Sequence, residues 1–360
     1  MRWDIFCKVI DNHGDIGVCW RLAADLARRG ETVRLWADDL SALPWMAPLG
    51  CTGVTPLPWH NDTHWVDAAP GDVVVEAFGC ELPAAFAHQM ACMQRPPVWL
   101  NLEYLTAEPY AERNHQLPSP VLQGPGAGLT KHFFYPGFTS GTGGLLRETG
   151  LLAEQAAFDR ADWLRQQGIV WQGERLVSLF CYEPAALDAW LHWLANDPTP
   201  TRLLVAFGRP QKAVQTVDLA SIYGQNKLEP RENLAVALSI SYLPALSQAD
   251  FDRLLWACDL NFVRGEDSLV RALWAGKPLV WQVYPQHDNA HHSKLNAFLD
   301  RVRAPPTLRD FHWVWNGVCP GPLPAPDWAT WTACAEKTRR ELLAQSDLTT
   351  QLLGFVAENR

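Results

Sequence analysis

Short apolar runs alternate with segments of helical periodicity along the first third of the chain. The apolar runs predict buried strands near residues 3–10, 32–37, 73–77 and 97–102. Apolar residues recur at helical spacing in 17–29, where Val18, Leu22 and Leu26 share a face and Gly30 follows, and 83–93 is helical as well. Strands that alternate with helices in this way predict an α/β fold with a parallel sheet.

A second alternating series begins after a glycine-rich stretch. Residues 124–144 contain seven glycines and predict a loop without a strand or helix. Helical sequence resumes at 154–167, and the series continues through 176–180, 187–195, 202–206, 233–240 and 260–283. We therefore predict two Rossmann-like domains facing across a cleft, residues 1–150 and 151–334. The last residues, about 335–360, are largely helical and are expected to pack back on the first domain.

Composition narrows the class of protein. A chain of 360 residues is long enough for two ordinary domains, and 48% hydrophobic with 19% charged residues is typical of a well-buried globular protein. The net charge of −9 argues against a nucleic-acid partner, which needs a basic face. No apolar run reaches the ~20 residues that span a bilayer, so no membrane association is expected. The cysteines are nine, an odd number, and form no C-x-x-C pair, which predicts a reduced cytoplasmic protein.

The first candidate loop directly follows the first predicted strand. It reads Asp11, Asn12, His13, Gly14, Asp15, Ile16 and Gly17, and the helix follows it. Loops of this kind lie at the carboxyl edge of the sheet, where α/β proteins bind ligands. Capping of the helix by Asp15 would explain that residue alone, but it leaves Asp11 without a role.

The second candidate loop lies between the strand 260–263 and the helix that ends near Ala275. It contains Arg264, Gly265, Glu266, Asp267 and Ser268. Asp267 and Ser268 are predicted N-cap residues, so the positive helix end and Arg264 together suit a phosphate or diphosphate. Glu266 would repel a diphosphate and is better suited to accept hydrogen bonds from sugar hydroxyls. The plain alternative is a capped helix with a solvated Arg–Glu pair.

Three other classes of site have weaker support. A nicotinamide-dependent oxidoreductase needs G-x-G-x-x-G after its first strand, and neither that motif nor a P-loop is present. A zinc site would use His287 and His291, which are spaced i, i+4, with Asp288 and His292 beside them. No third ligand occurs at a familiar spacing, so no metal is expected. Two α/β halves with a diphosphate-suited loop instead indicate a nucleotide-sugar transferase of the GT-B type.

Both loops also resemble the hallmark segments of the EarP family, the bacterial protein-arginine rhamnosyltransferases that modify elongation factor P. The resemblance rests on residues 11–23 and 261–276, and residues 138–148 and 284–286 are similar as well. It implies an inverting GT-B enzyme with dTDP-β-L-rhamnose bound in the second half. Elongation factor P would bind at the first half. No cofactor or metal is implied.

The resemblance also implies roles for individual residues. Asp11 and Asp15 match the acidic catalytic loop, with Asp15 as the candidate base, and Glu266 matches an essential glutamate. The positions that match the donor site are Arg264, Gly265, Asp267, Ser268, Tyr284, Gln248, Phe251, Tyr242 and Phe180. His13 stands where another aromatic residue is expected. A GT-B enzyme with a small-molecule or lipid-linked acceptor is the alternative, and a sugar-nucleotide-binding protein without catalysis is the third.

Overall fold

The computed structural model describes residues 1–10, 13–60, 68–218, 237–286 and 290–360. The chain divides into two compact units. Unit 1 comprises Met1–Leu152 and Leu342–Arg360, and unit 2 comprises Ala153–Glu341. The sequence prediction placed the boundary at residue 150 and the start of the returning segment near 335. Each unit contains its own sheet and its own hydrophobic core.

Unit 1 is built on a seven-stranded sheet with the order β3-β2-β1-β4-β5-β7-β6. The strands are β1 (Arg2–Cys7), β2 (Thr32–Ala37), β3 (Val54–Pro58), β4 (Val73–Ala77), β5 (Val98–Leu102), β6 (Pro118–Pro120) and β7 (Thr130–Phe134). All neighbours pair in parallel except β6, which runs antiparallel to β7 at the edge. Edge strands tolerate the prolines of β6, since proline has no N–H to donate to a second neighbour.

The helices of unit 1 cover the sheet, and their apolar side chains pack against it. They are α1 (Gly14–Arg28), α2 (Leu43–Met46), α3 (Ala84–Cys92) and α4 (Tyr110–Asn114), and the chain passes into unit 2 within α5 (Leu151–Ala156). Leu22 and Leu26 of α1 are fully buried against β1 and β2. The last helix of the chain contributes Leu352 and Val356 to the same core, so the C-terminal segment belongs to unit 1.

Unit 2 is built on a five-stranded parallel sheet with the order β10-β9-β8-β11-β12. Its strands are β8 (Arg175–Leu179), β9 (Thr201–Val205), β10 (Leu238–Tyr242), β11 (Leu260–Arg264) and β12 (Leu279–Gln282). The remaining helices are α6 (Arg160–Gln166), α7 (Leu187–Asn196), α8 (Arg209–Gln215), α9 (Gln248–Ala257), α10 (Asp267–Ala275), α11 (Ala290–Arg301), α12 (Pro306–Trp315), α13 (Trp328–Leu343) and α14 (Leu348–Glu358). The boundary between the units falls within α13, and α14 belongs to unit 1.

The tryptophans of unit 2 are mostly core residues, as their scattered positions predicted. Trp190, Trp315 and Trp331 are at most 1% exposed and pack with Phe262 and Phe311. A layer of aromatic side chains therefore packs against the sheet. Its carboxyl edge is formed by the loops that follow β8, β9, β11 and β12.

Several predicted elements differ from the structure. The strand predicted at 3–10 ends at Cys7, because the amide groups of Val9 and Ile10 donate to Asp38 and Asp15 and not to a strand. The stretch 124–144 is not all loop, since it contains β7. Strand β3 was not predicted, and residues 154–167 form parts of two helices and not one. Residues 233–236 of the predicted 233–240 segment lie outside the described residues.

Within the described parts of the chain, no helix combines the length and the apolar character needed to cross a membrane. All nine cysteines are free thiols, and five of them are buried.

Candidate active site

Asp15 lies in the first turn of α1 and is only 4% exposed. Its Oδ2 accepts a hydrogen bond from the amide of Ile10 at 2.8 Å, which closes the loop between β1 and α1. The N-cap residue of the helix is His13, and no side-chain cap bond forms there. The simple capping role considered for Asp15 is therefore wrong. Its carboxylate instead accepts from the backbone of Ile10, before the helix begins. Asp11 and Asn12, both predicted site residues, lie outside the described residues.

The other predicted residues of this loop shape the start of α1. His13 is exposed, and its ring packs edge-to-face on Trp45 with 5.3 Å between the centroids. His13 stands where the family resemblance predicts another aromatic residue, and its ring makes an aromatic contact with Trp45. Gly14 is the first residue of the helix, and the amide of the buried Gly17 donates to the carbonyl of His13 at 3.0 Å.

Helix α1 is fixed by buried ion pairs further along. Arg21 donates from Nη1 to Oε1 of Glu148 at 3.0 Å, and both side chains are less than 10% exposed. Asp25 accepts from the amide of Thr149 at 2.9 Å and pairs with Arg29 at 2.8 Å. Two of the segments that carry the family resemblance are therefore joined at Arg21 and Glu148, and the position of Asp15 is set by a helix that is anchored at several points.

The second predicted loop connects β11 to α10. Gly265 has a φ of 65°, in the left-handed region that suits glycine, and the indole of Trp281 donates to its carbonyl at 2.7 Å. The Ser268 hydroxyl donates to the carbonyl of Arg264 and accepts from the amide of Arg264 at 3.1 Å. The backbone of the loop is therefore locked from both ends.

The N-cap residue of α10 is Glu266, and its side chain makes no cap bond to the helix. Asp267 and Ser268 were predicted as N-cap residues, and this is wrong by one and two positions, because the hydroxyl of Ser268 bonds to Arg264 instead. The helix ends as predicted, with Gly276 in the left-handed conformation at φ 69°. The first-turn N–H groups of this nine-residue helix point to the loop that carries Arg264 and Glu266.

The guanidinium of Arg264 lies over two aromatic rings. It is 4.4 Å from the ring centroid of Phe180 and 4.6 Å from that of Tyr182. Its Nη1 also donates to the carbonyl of Cys181 at 3.1 Å, and burial raises the pKa of the Cys181 thiol to about 12, so that thiol is neutral. Arg264 is therefore a cation with a fixed plane at the carboxyl edge of the sheet, which suits bidentate binding of a phosphate.

Further aromatic residues pack against the two rings that contact Arg264, one from just after the end of β12 and one from helix α9. The ring of Phe251 packs edge-to-face on Phe180 at 5.2 Å, and Tyr284 packs edge-to-face on Tyr182 at 5.5 Å. Tyr284 is 48% exposed. The structure thus brings together four aromatic residues, three of which were predicted.

Two other predicted residues lie on neighbouring elements. Tyr242 is the last residue of β10 and is 44% exposed, and Gln248 is the first residue of α9. Both therefore belong to unit 2, and Gln248 lies on the same helix as Phe251.

Three further residues at this edge were not predicted. Tyr182 lies two residues after Phe180, in the loop that follows the buried strand β8. Its position just after a buried strand is the sequence signal that could have identified it. Arg209 follows Gly208 just after β9, stacks over Tyr182 at 4.9 Å and pairs with Glu183. This ion pair lowers the pKa of Glu183 and raises that of Arg209. Lys294 of α11 pairs with Glu266, and no local sequence signal indicates that contact.

The zinc alternative has no support among the described residues, which contain no group of three or more His, Cys, Asp or Glu side chains arranged to hold a metal ion. Nδ1 of His291 accepts a hydrogen bond from the amide of Gln286 at 3.1 Å. His287 and Asp288 lie outside the described residues.

Comparison with known proteins gives a consistent result. A sequence profile of the family described as elongation factor P (EF-P) rhamnosyltransferase EarP matches residues 3–357. A relative from Pseudomonas putida, named protein-arginine rhamnosyltransferase, is 48% identical over 316 residues, or 84% of this chain and 81% of the relative. A relative of the same name from Pseudomonas aeruginosa is 41% identical over 384 residues, which cover 99% of both chains.

The chain belongs to the EarP family. A solved structure described as "Structural basis for EarP-mediated arginine glycosylation of translation elongation factor EF-P" matches 100% of this chain and 99% of its own, with 32% identity and a TM-score of 0.65. The protein is a glycosyltransferase of the protein-arginine rhamnosyltransferase class, and its two α/β units are those of the GT-B fold. The predicted family, fold class and enzyme class are confirmed.

Proposed function

We propose that this EarP family member transfers rhamnose from dTDP-β-L-rhamnose to an arginine side chain of elongation factor P, with inversion at the anomeric carbon. Unit 2 binds the donor, and unit 1 binds the protein acceptor. The single observation that carries the donor assignment is the cation of Arg264, held between two rings and a carbonyl beside the N-terminus of α10.

The loop between β11 and α10 suits the diphosphate of the donor. A helix N-terminus presents N–H groups and a partial positive charge, and both favour an anion. The flexibility of Arg264 is restricted by its ring contacts, so little side-chain entropy remains to be lost when it binds phosphate. Charge that develops on the leaving diphosphate falls on these groups, which lowers the energy of the transition state.

The residues around Arg264 provide the rest of the donor site. Glu266 accepts hydrogen bonds from the sugar hydroxyls, and Tyr284 lies on the sugar side with its exposed ring. Phe180 and Phe251 offer ring faces and edges to the thymine base, with Gln248 and Tyr242 on the elements beside them.

Asp15 and Asp11 act on the acceptor arginine. Arginine has a pKa of ~12.5–13.8 and aspartate of ~3.9, so complete proton transfer before attack would cost about 12–13 kcal/mol. Burial of the carboxylate recovers only a few units of this difference. The two carboxylates therefore grip and orient the guanidinium, and the proton passes to Asp15 late, as the bond between sugar and diphosphate breaks.

The reaction as proposed uses no cofactor and no metal ion, because Arg264 and the helix N-terminus take the leaving-group charge. A requirement for a divalent ion in turnover would contradict this part of the proposal. We place the enzyme in the cytoplasm, where its nine free thiols stay reduced and where a translation factor is available.

Intact-mass spectrometry of elongation factor P tests the proposal. The acceptor is incubated with the enzyme and dTDP-β-L-rhamnose, in parallel with the Asp15→Asn enzyme and with an acceptor whose target arginine is replaced by lysine. We expect one added deoxyhexose only with intact enzyme and intact arginine, and an α-linkage by NMR. No mass shift, with dTDP still bound in calorimetry, would refute the acceptor and would favour a small-molecule or lipid-linked one.

A further inference from the structure

Glu266 poses an electrostatic problem for the donor site. Its carboxylate lies at the N-terminus of α10, in the loop that carries Arg264. A diphosphate in that loop lies near Glu266, and two like charges repel each other at short range. The site therefore needs a device that offsets the negative charge of Glu266 without removing its ability to accept hydrogen bonds.

Lys294 provides a positive charge at this place. Its ammonium group donates to Oε1 of Glu266, and the side chains are only 22% and 18% exposed. A pair so far out of solvent is screened less than a surface pair, so its charge effect persists at physiological salt. The lysine belongs to α11, about one strand and one helix further along the chain, so the contact is tertiary.

The two arginines of the same edge have contacts of their own. Arg264 donates to the carbonyl of Cys181 and lies over Phe180 and Tyr182. Arg209 pairs with Glu183. Lys294, in turn, is paired with Glu266 in the structure.

We propose that Lys294 is a positioning residue for the transfer reaction. It cancels the charge of Glu266 towards the diphosphate, and it holds the carboxylate in the orientation that accepts the sugar hydroxyls. This inference rests on the proposed function, because it concerns the same donor site. A carboxylate offers about four acceptor positions, so one ammonium contact leaves room for hydroxyl groups.

The backbone of this loop is held by hydrogen bonds that do not involve Lys294, so the role of Lys294 concerns side chains only. Gly265 is held by the indole of Trp281, and Ser268 is bonded to both backbone groups of Arg264. Loss of Lys294 should therefore leave the backbone at Glu266 in place, free the carboxylate to change its rotamer, and remove one positive charge from beside it. The carboxylate of Glu266 would then face the diphosphate without the charge of Lys294 to offset it.

Calorimetry with two ligands separates the two effects. dTDP contains the diphosphate without the sugar, and dTDP-β-L-rhamnose contains both. Both ligands are titrated into the wild type, Lys294→Gln, Lys294→Arg, Glu266→Gln and the Lys294→Gln/Glu266→Gln double variant. Lys337→Gln, an exposed lysine of α13, is the matched control. Circular dichroism and thermal unfolding show that each variant is folded.

We expect Lys294→Gln to weaken dTDP binding about tenfold, and Lys294→Arg to restore it to within about threefold of the wild type. Glu266→Gln should bind dTDP at least as well as the wild type but bind dTDP-rhamnose more weakly. In the Glu266→Gln background, removal of Lys294 should change dTDP affinity by less than about threefold, since the charge that it offsets is already absent. In turnover, Lys294→Gln should raise KM for the donor and lower kcat.

Two results would overturn the inference. One is wild-type affinity of Lys294→Gln for both ligands. The other is an equal loss of affinity from Lys294→Gln with and without Glu266, which would mean that Lys294 acts on the ligand directly or on the fold. Failure of the proposed donor is distinguishable, because the wild type would then not bind dTDP. In that case the effect of Lys294→Gln with and without Glu266 is measured with UDP and GDP. If the wild type bound none of dTDP, UDP and GDP, both proposals would be overturned.

Discussion

Arg264 should supply most of the electrostatic attraction for the donor diphosphate. In a partly buried site with an effective dielectric constant of ~20, one charge pair at an assumed separation of about 5 Å is worth about 3 kcal/mol. Some of this is lost to desolvation of the guanidinium. The side chain is half-buried but keeps its fixed plane through Phe180 and Tyr182, so the net loss in Arg264→Gln should be about 2–3 kcal/mol.

The corresponding change is a dissociation constant for dTDP that rises about 30- to 150-fold. Arg264→Lys keeps the charge but loses the two-pronged geometry and should fall between the wild type and Arg264→Gln. Isothermal titration calorimetry at low and high salt measures both, and the wild-type affinity should fall more steeply with salt than that of Arg264→Gln. Arg165→Gln serves as the control, because Arg165 lies on α6 with a side chain that is 74% exposed.

The loss of Arg264 also removes a carbonyl hydrogen bond and two ring contacts, which together stabilise the fold by about 2 kcal/mol. Urea unfolding therefore accompanies each titration. A folded Arg264→Gln variant that binds dTDP within about threefold of the wild type would refute the assignment of this loop to the diphosphate.

Three further predictions concern the catalytic loop and the fold. Asp15→Asn should keep the hydrogen bond from the Ile10 amide, and hence stability and dTDP affinity, while turnover in the mass-spectrometric assay falls by about 10²–10⁴. Turnover near the wild-type level would contradict its role as the base. Arg21→Met should lower the free energy of unfolding by about 3–5 kcal/mol, because Glu148 stays buried without its cation. A change below about 1 kcal/mol in urea unfolding would show that the pair is dispensable. Burial lowers the pKa of His312 to about 4, below the ~6.5 of the unfolded chain. The free energy of unfolding should therefore fall by about 3 kcal/mol as the pH decreases from about 6.5 to 4. The fall should be smaller in His312→Gln. A flat pH profile of unfolding over that range would contradict this.

Local sequence patterns predicted the elements that bury apolar side chains. Strands β4 and β5 are buried on both faces, and helix α7 has a continuous apolar stripe, so their positions could be read from runs and periodicity. The edge strands β3 and β6 were not predicted. Both contain prolines and exposed residues, so their identity depends on the neighbouring strand and not on their own composition.

The helix N-termini show the same division. The sequence placed both candidate loops correctly between a strand and a helix, but not the residue that begins each helix. Asp15 and Ser268 are good capping residues in isolation, and in the structure each bonds to another segment of its loop. Competition between a cap and a loop contact is decided by the backbone path, which depends on packing.

What the sequence by itself determined is the pair of α/β halves, the two loops at the strand ends and the family, because these rest on short-range patterns and on long matching segments. What only the tertiary structure decided is which side chains meet across elements. Arg264 lies over Phe180 and Tyr182, and Lys294 pairs with Glu266. These partners are 28 to 84 residues apart in the chain. Their contact follows from parallel strand order, which brings the carboxyl ends of β8, β11 and β12 to one edge.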